Sequence, residues 1–353
     1  MAKSIAMQGN DALAESAIRA GMTFFAGYPI TPQTEITEYL STRMFEVGRQ
    51  FVQAESELAA INMVSGAACT GHRAMTATAG PGFSLMAEGM SWMAGSRIPA
   101  VICDIGRGGA GNSNTLPAQA DYNFATKSIG HGGFKPFVLA PCSVQETADF
   151  VYEAFDIADK YRCLVYIMSD GMLGHMIEPV ELKPFRDLAS LPEKPYAAHG
   201  KKDGEERKAV GWHLEPNGDE KVARAQVEMY KLWDETETRY EAFMLEDAEI
   251  VVAAWGTCAR VAKTAIRALR AEGYKVGLIR AITLHPFPSA PIASLDEGRV
   301  RHVLVLENAI PAQFYYDVKA ALGGKSIPLS VYNRCCGNTI TPEEALAELR
   351  KLV

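Results

Sequence analysis

Between residue 11 and about residue 171, short apolar runs alternate with longer stretches whose apolar positions recur every three or four residues. That alternation is the pattern of strands followed by helices. The runs predict strands at 23–26, 49–54, 73–78, 100–105, 137–140 and 164–168, and helices at 12–20, 33–44, 58–70, 83–94, 120–126 and 144–161. Asn10 or Asp11 stands where the first helix needs an N-cap, and Gly21 where it needs a stop. Strands alternating with helices imply a mostly parallel sheet covered on both faces. The rhythm breaks after residue 180. Residues 183–219 are rich in Pro, Gly, Lys and Glu and read as a polar connection, and 220–244 reads as one long polar helix. A second, smaller α/β unit then follows, with strands at 250–255, 275–280 and 303–307 and helices at 258–272 and 313–322. The expected division is 1–182, 183–248 and 249–353, within a length of 353 residues that suits about two domains.

Composition narrows the function classes. The net charge of −7 carries no basic block, which argues against nucleic acid and anionic membrane surfaces as partners. No apolar run reaches the roughly 20 residues a membrane span needs. The start, Met1-Ala2-Lys3-Ser4-Ile5, opens no long apolar segment, so the expected location is the cytoplasm. Cys69, Cys103, Cys142, Cys163, Cys258, Cys335 and Cys336 form no C-x-x-C pair, so no metal or iron–sulfur cluster is expected on this chain. Cys335-Cys336, in a polar loop, is the one adjacent pair.

Open α/β sheets place ligands at the carboxyl ends of their strands, and four loops that follow strands in the first unit are unusual. Gln53-Ala54-Glu55-Ser56-Glu57 puts carboxylates where a strand turns into a helix of small residues, and Glu57 is the leading candidate for chemistry. A solvated helix start favoured by the helix dipole is the bland alternative. In Gly27-Tyr28-Pro29-Ile30-Thr31-Pro32, two prolines fix the backbone around Thr31, which could also be a plain helix cap. Gly80-Pro81-Gly82 lets backbone approach a ligand closely. Arg107, ringed by Gly106, Gly108 and Gly109, has a fork suited to a carboxylate, unless it is a surface Arg on a flexible loop. His131, between Gly130 and Gly132, is the histidine whose setting best allows approach to a site.

Together these loops resemble the 2-oxoacid:ferredoxin oxidoreductase family, α-type subunit. The match runs through Gly9-Asn10-Asp11-Ala12, the loops above, Leu139 to Glu146 and Phe155-Asp156-Ile157-Ala158-Asp159, into Ser169-Asp170-Gly171. The resemblance implies a thiamine diphosphate-binding pyrimidine domain and a transketolase C-terminal-like α/β domain. It implies that Glu57 hydrogen-bonds the aminopyrimidine ring and promotes its imino tautomer, and that Thr31 and Arg107 lie near the substrate, Arg107 on its carboxylate. Pro29, Ile30, Gly80 and Pro81 would flank the cofactor. The implied reaction is coenzyme A-dependent oxidative decarboxylation of a 2-oxoacid with reduction of ferredoxin, with a branched-chain acid such as 3-methyl-2-oxobutanoate leading and 2-oxoglutarate or an aryl 2-oxoacid as alternatives. A non-oxidative thiamine enzyme half, or a non-catalytic assembly subunit, are further readings. Ser169-Asp170-Gly171 lacks the first Gly of the family's Gly-Asp-Gly run, and no Asn lies near residue 197. The resemblance therefore places Mg²⁺ and the diphosphate on a β-type subunit, and [4Fe-4S] clusters on partner chains that include γ-type and ferredoxin-like subunits. Tyr332 to Asn338 stands where a Gly-Arg-x-Gly-Gly loop is expected.

Overall fold

The computed structural model describes residues 4–127, 130–201, 207, 209 and 211–353. Met1, Ala2 and Lys3 of the start, residues 128 and 129, and residues 202–206, 208 and 210 of the polar connection lie outside the described residues.

The first part of the chain runs β1 (Ile5–Gln8), α1 (Gly9–Arg19), β2 (Phe24–Gly27), α2 (Thr34–Glu46), β3 (Gln50–Gln53), α3 (Glu57–Cys69), β4 (Ala74–Thr78), α4 (Gly80–Leu85), α5 (Ala87–Gly95) and β5 (Ala100–Gly106). It continues through α6 (Tyr122–Thr126), β6 (Phe137–Leu139), α7 (Val144–Tyr161), β7 (Leu164–Asp170), α8 (Gly171–His175) and β8 (Ile177–Val180). The later part holds α9 (Gly218–Thr236), β9 (Tyr240–Phe243), β10 (Ile250–Trp255), α10 (Gly256–Ala271), β11 (Val276–Ala281), β12 (Thr283–His285), α11 (Ser289–Ala293), β13 (His302–Glu307), α12 (Phe314–Leu322), β14 (Leu329–Asn333) and α13 (Pro342–Arg350).

Seven strands form one sheet in the order β12-β6-β7-β5-β4-β2-β3, parallel except for β12 at the edge. A second sheet has the order β14-β13-β10-β11-β9, with β9 antiparallel to β11. The period of two assigns each face. On β5, Val101, Cys103 and Ile105 join the core under α1, α2 and α7, whereas Ala100 and Ile102 join the core under α3, α4 and α5. The latter core runs on into Val251, Ala253, Trp255, Val303 and Phe314, so the two sheets share one apolar layer.

Three departures from the sequence reading have local causes. The helix expected over 83–94 begins earlier and bends at Met86, whose N–H is shared between the carbonyls of Gly82 and Phe83 at 3.2 and 3.3 Å. The long helix expected over 220–244 stops at Thr236. There the Thr238 hydroxyl donates back to the Asp234 carbonyl, and residues 240–243 turn into the edge strand β9. Asn10 does not cap α1, which starts at Gly9; its amide instead donates to the Pro32 carbonyl and to Glu35 Oε2, each at 2.9 Å. Strands β1, β8 and β12 were not legible as runs because each is short, whereas β6, to which β12 pairs, matches the run expected at 137–140.

Candidate active site

Register brings the unusual loops to one edge. Gly27 at the end of β2 pairs with Gln53 at the end of β3, Thr78 of β4 with Asp104 of β5, and Gly106 of β5 with Asp170 of β7. The loops at 28–32, 54–56, 79–82 and 107–117 therefore all leave the carboxyl edge of the parallel sheet.

Glu57 is the first residue of α3, whose N-cap is Ser56; the Ser56 hydroxyl accepts the N–H of Ala59 at 3.2 Å. Glu55 points outward and is exposed, whereas Glu57 is only 4% exposed. A solvated helix start therefore does not describe Glu57. No hydrogen bond or ion pair engages its carboxylate among the described residues, which leaves it free for a ligand. The glycines of the 80–82 turn explain how it fits. A Cβ at Gly82 would stand 2.3 Å from Glu57 Oε1 and 2.2 Å from Thr78 Oγ1, so only glycine leaves room for that carboxylate. On its other side α3 packs closely on α5, where a Cβ at Gly89 would stand 2.7 Å from Ile61.

Arg107 and Thr31 meet directly. Arg107 Nη1 donates to the Thr31 carbonyl at 2.8 Å, and Nη2 donates to the Asn112 carbonyl at 3.3 Å. The side chain is 9% exposed, so it is not a surface Arg on a free loop. Its loop folds back on itself, with Arg107 bridging Pro117 and the Gly108 N–H donating to the Leu116 carbonyl. Two of the guanidinium's five donors are used by these carbonyls, and the rest of the fork is available to an anion. Thr31 is exposed and does not cap α2, whose N-cap is Gln33. Pro29 and Ile30 beside it are half-buried, as are Gly80 and Pro81. Pro32 packs on Gly171, where a Cβ would stand 3.0 Å from its ring.

A pair of carboxyls lies beside the 80–82 turn and within the field of Arg107. Asp104 is fully buried near the end of β5, and Asp121 precedes α6. A Cβ at Gly80 would lie 3.2 Å from Asp121 Oδ2. Burial and the Asp121 charge hold the Asp104 carboxyl well above the usual range. Burial likewise pushes Asp121 up to about 6, although Arg107 and a hydrogen bond from Asp104 pull it back. Sequence reasoning placed Gly82 in the Gly-Pro-Gly turn near a ligand, and did not single out Thr78, Asp104 or Asp121 as site residues. A signal existed for one of the three missed residues: Asp104 interrupts an apolar strand.

Asp170 is committed elsewhere. Its Oδ1 accepts the N–H groups of Met172 and Leu173, and its Oδ2 accepts the Thr257 hydroxyl at 2.5 Å. Burial raises it, with those three hydrogen bonds pulling back. The same seam between the two sheets is held by Gln119, whose Nε2 donates to the Trp255 carbonyl at 3.1 Å and whose Oε1 accepts the Asn308 N–H at 2.9 Å. The Asn114 amide donates to the Cys336 carbonyl at 2.7 Å, so the loop carrying Arg107 rests on the Cys335-Cys336 turn. His131 is exposed and lines a surface cavity with Glu88, Trp92 and His213, a cavity that contains none of Glu57, Thr31 and Arg107. Among the described residues, no group of His, Cys, Asp and Glu could hold a metal ion.

Comparison with known proteins adds to this geometry. Residues 15–254 match the family model "Pyruvate flavodoxin/ferredoxin oxidoreductase, thiamine diP-bdg", and residues 248–345 match "Pyruvate:ferredoxin oxidoreductase core domain II". The ketoisovalerate oxidoreductase subunit VorB of Methanothermobacter marburgensis is 44% identical over 98% of this chain and 97% of its own length. The 2-oxoglutarate synthase subunit KorA of Methanocaldococcus jannaschii is 36% identical over 96% of this chain and 97% of its own. Among solved structures, the 2-oxoglutarate:ferredoxin oxidoreductase of Magnetococcus marinus, with 2-oxoglutarate, coenzyme A and succinyl-CoA bound, superposes with a TM-score of 0.88 at 27% identity. That superposition covers 99% of this chain, which spans 65% of the structure's own.

Proposed function

The chain belongs to the pyruvate flavodoxin/ferredoxin oxidoreductase family, and on that footing we propose that it is the α-type subunit of an enzyme that oxidatively decarboxylates a branched-chain 2-oxoacid, such as 3-methyl-2-oxobutanoate. The products would be the acyl-coenzyme A, CO2 and reduced ferredoxin. The family is thiamine diphosphate-binding. The observation that carries the reading is the buried, unengaged carboxylate of Glu57, kept open by Gly82 at the carboxyl edge of the sheet. A relative named for ketoisovalerate, 44% identical along nearly its whole length, supports the branched-chain choice.

The residues present fit the cofactor's aminopyrimidine half. Glu57 would hold a proton at a carboxylate oxygen against it, and Pro29, Ile30, Gly80 and Pro81 would flank it. When bound, thiamine diphosphate supplies the electron sink for loss of CO2. Arg107 would orient the 2-oxoacid through the donors that Thr31 and Asn112 leave free, and the rigid 28–32 loop would present Thr31 beside it. Because Asp170 already spends both oxygens, Mg²⁺ and the diphosphate are assigned to a β-type subunit, and [4Fe-4S] clusters to partner chains including γ-type and ferredoxin-like subunits. Under this reading residues 1–182 are the pyrimidine-binding domain, 249–353 the transketolase C-terminal-like domain, and the complex works in the cytoplasm. Among the described residues no helix is long and apolar enough to cross a membrane.

The test is to purify the tagged complex without oxygen from its own host. Viologen reduction is then measured with coenzyme A and a panel of branched, dicarboxylic and aryl 2-oxoacids. The fastest rate is expected with 3-methyl-2-oxobutanoate. Turnover of 2-oxoglutarate alone would overturn the substrate. No turnover of any acid, in a preparation containing thiamine diphosphate and iron, would overturn the reaction.

A further inference from the structure

The Ala100–Ile102–Asp104 row of β5 faces the apolar layer that holds Phe83, Met90 and Tyr122. Ala100 and Ile102 belong to that layer; Asp104, next in the row, is fully buried beside it. Neither Asp104 oxygen has a partner among the described residues other than the Asp121 carboxyl, and Asp121 Oδ2 is in the same position. An unpaired buried carboxylate is very costly, and two carboxylates within hydrogen-bond reach cannot both ionise in such surroundings. A proton between them removes both problems.

We propose that Asp104 and Asp121 share a single proton, carried by Asp104, and that the pair is a positioning unit for Arg107. The assignment of the proton follows from the neighbours. Asp104 faces no cation, whereas Asp121 feels the charge of Arg107, which favours its ionised form. The Asp104 hydroxyl thus donates to the Asp121 carboxylate, which balances the guanidinium. Cys103, the neighbour in sequence whose thiol is raised by burial and by charge on Asp104, turns to the opposite face of the sheet, packs 3.9 Å from Met75 Sδ and stays neutral. Arg107 is held by two hydrogen bonds, to the Thr31 and Asn112 carbonyls, and the Asp121 carboxylate adds an electrostatic attraction without a direct ion pair. Gly80 leaves the space that Asp121 occupies. The consequence for substrate affinity rests on the proposed role of Arg107.

The experiment uses the purified complex carrying Asp104→Asn, Asp121→Asn or Arg107→Ala, each checked by thermal melting. Infrared difference spectra of wild type minus D104N are expected to show one protonated-carboxyl C=O band lost. Because the amide keeps a donor toward Asp121, D104N should lose no more than ~3-fold in kcat/KM. D121N leaves Arg107 without its counter-charge. Its KM for the 2-oxoacid should rise ~10-fold with a smaller change in kcat, the size expected for one charged hydrogen bond. D121N should also lose an ionisation near 6 from the pH profile of kcat/KM. Absence of the infrared band, or D104N as impaired as D121N, would overturn the shared proton. A raised KM in R107A with an unchanged or lowered KM in D121N would overturn the positioning role alone. An unchanged KM in R107A would refute the Arg107 assignment and leave the shared proton to be decided by the infrared band.

Discussion

Gly82→Ala adds a single methyl group beside the carboxylate on which the proposed chemistry depends. The new Cβ would stand 2.2 Å from Thr78 Oγ1, 2.3 Å from Glu57 Oε1 and 2.4 Å from Glu57 Cγ, where ordinary contact begins at 3.4 Å. Gly82 does not have a positive φ, so alanine fits its backbone and the strain falls on the neighbours. Thr78 belongs to a fully buried strand and has little room to move. The Glu57 side chain must therefore retreat by about 1 Å. A displacement of that size from the working geometry reduces turnover by ~10²-fold. Overpacking destabilises by about 1–3 kcal/mol, small enough for the complex to assemble. The assay is viologen reduction by the purified complex, with melting temperature and subunit stoichiometry measured alongside. A double-mutant cycle isolates the cause: in a Glu57→Gln background, Gly82→Ala should cost less than ~3-fold more, since the carboxylate it displaces has already been changed. Turnover within ~3-fold of wild type for G82A alone, or losses that simply multiply in the double variant, would refute the reasoning.

Glu57→Gln, nearly isosteric, should lower kcat by at least ~10²-fold while assembly is retained, as measured by turnover and gel filtration. Arg107→Ala should weaken apparent affinity for the 2-oxoacid by roughly 10- to 150-fold, equivalent to about 1.5–3 kcal/mol, and steady-state KM reads it directly. The carboxyl of Asp121 is raised from 3.8 to about 6 in the folded protein, so the folded state binds that proton more tightly than the unfolded one. Stability from this group is therefore present below pH 3.8 and falls as pH rises toward about 6. The melting temperature of Asp121→Asn relative to wild type should accordingly increase between pH 4 and pH 7. Gln119→Ala strands the Trp255 carbonyl and the Asn308 N–H in a buried seam. It should destabilise the protein by on the order of 2 kcal/mol in chemical denaturation.

The chain's own pattern determined the layered architecture. Strands buried on both faces read as continuous apolar runs, and the helices between them carry one apolar stripe, so both parallel units were legible before any contact was known. The same pattern placed the unusual loops after strand ends, and with them the edge where Glu57, Thr31 and Arg107 are found. Which of those residues are buried, and what they touch, was decided by tertiary structure. Glu55 and Glu57 are chemically alike and close in sequence, yet only Glu57 turns under the 80–82 loop, because its burial depends on Gly82 arriving from another strand. Thr31 could serve as a cap by its local sequence; its carbonyl instead anchors Arg107 from the far side of β4. Asp104 and Asp121 carry no mutual signal, since periodicity assigns a residue to a face but not to a neighbour. Their meeting follows from the fold-back of the 107–117 loop, and the electrostatic consequence, a proton held between two carboxyls, exists only in the low-dielectric interior that folding creates.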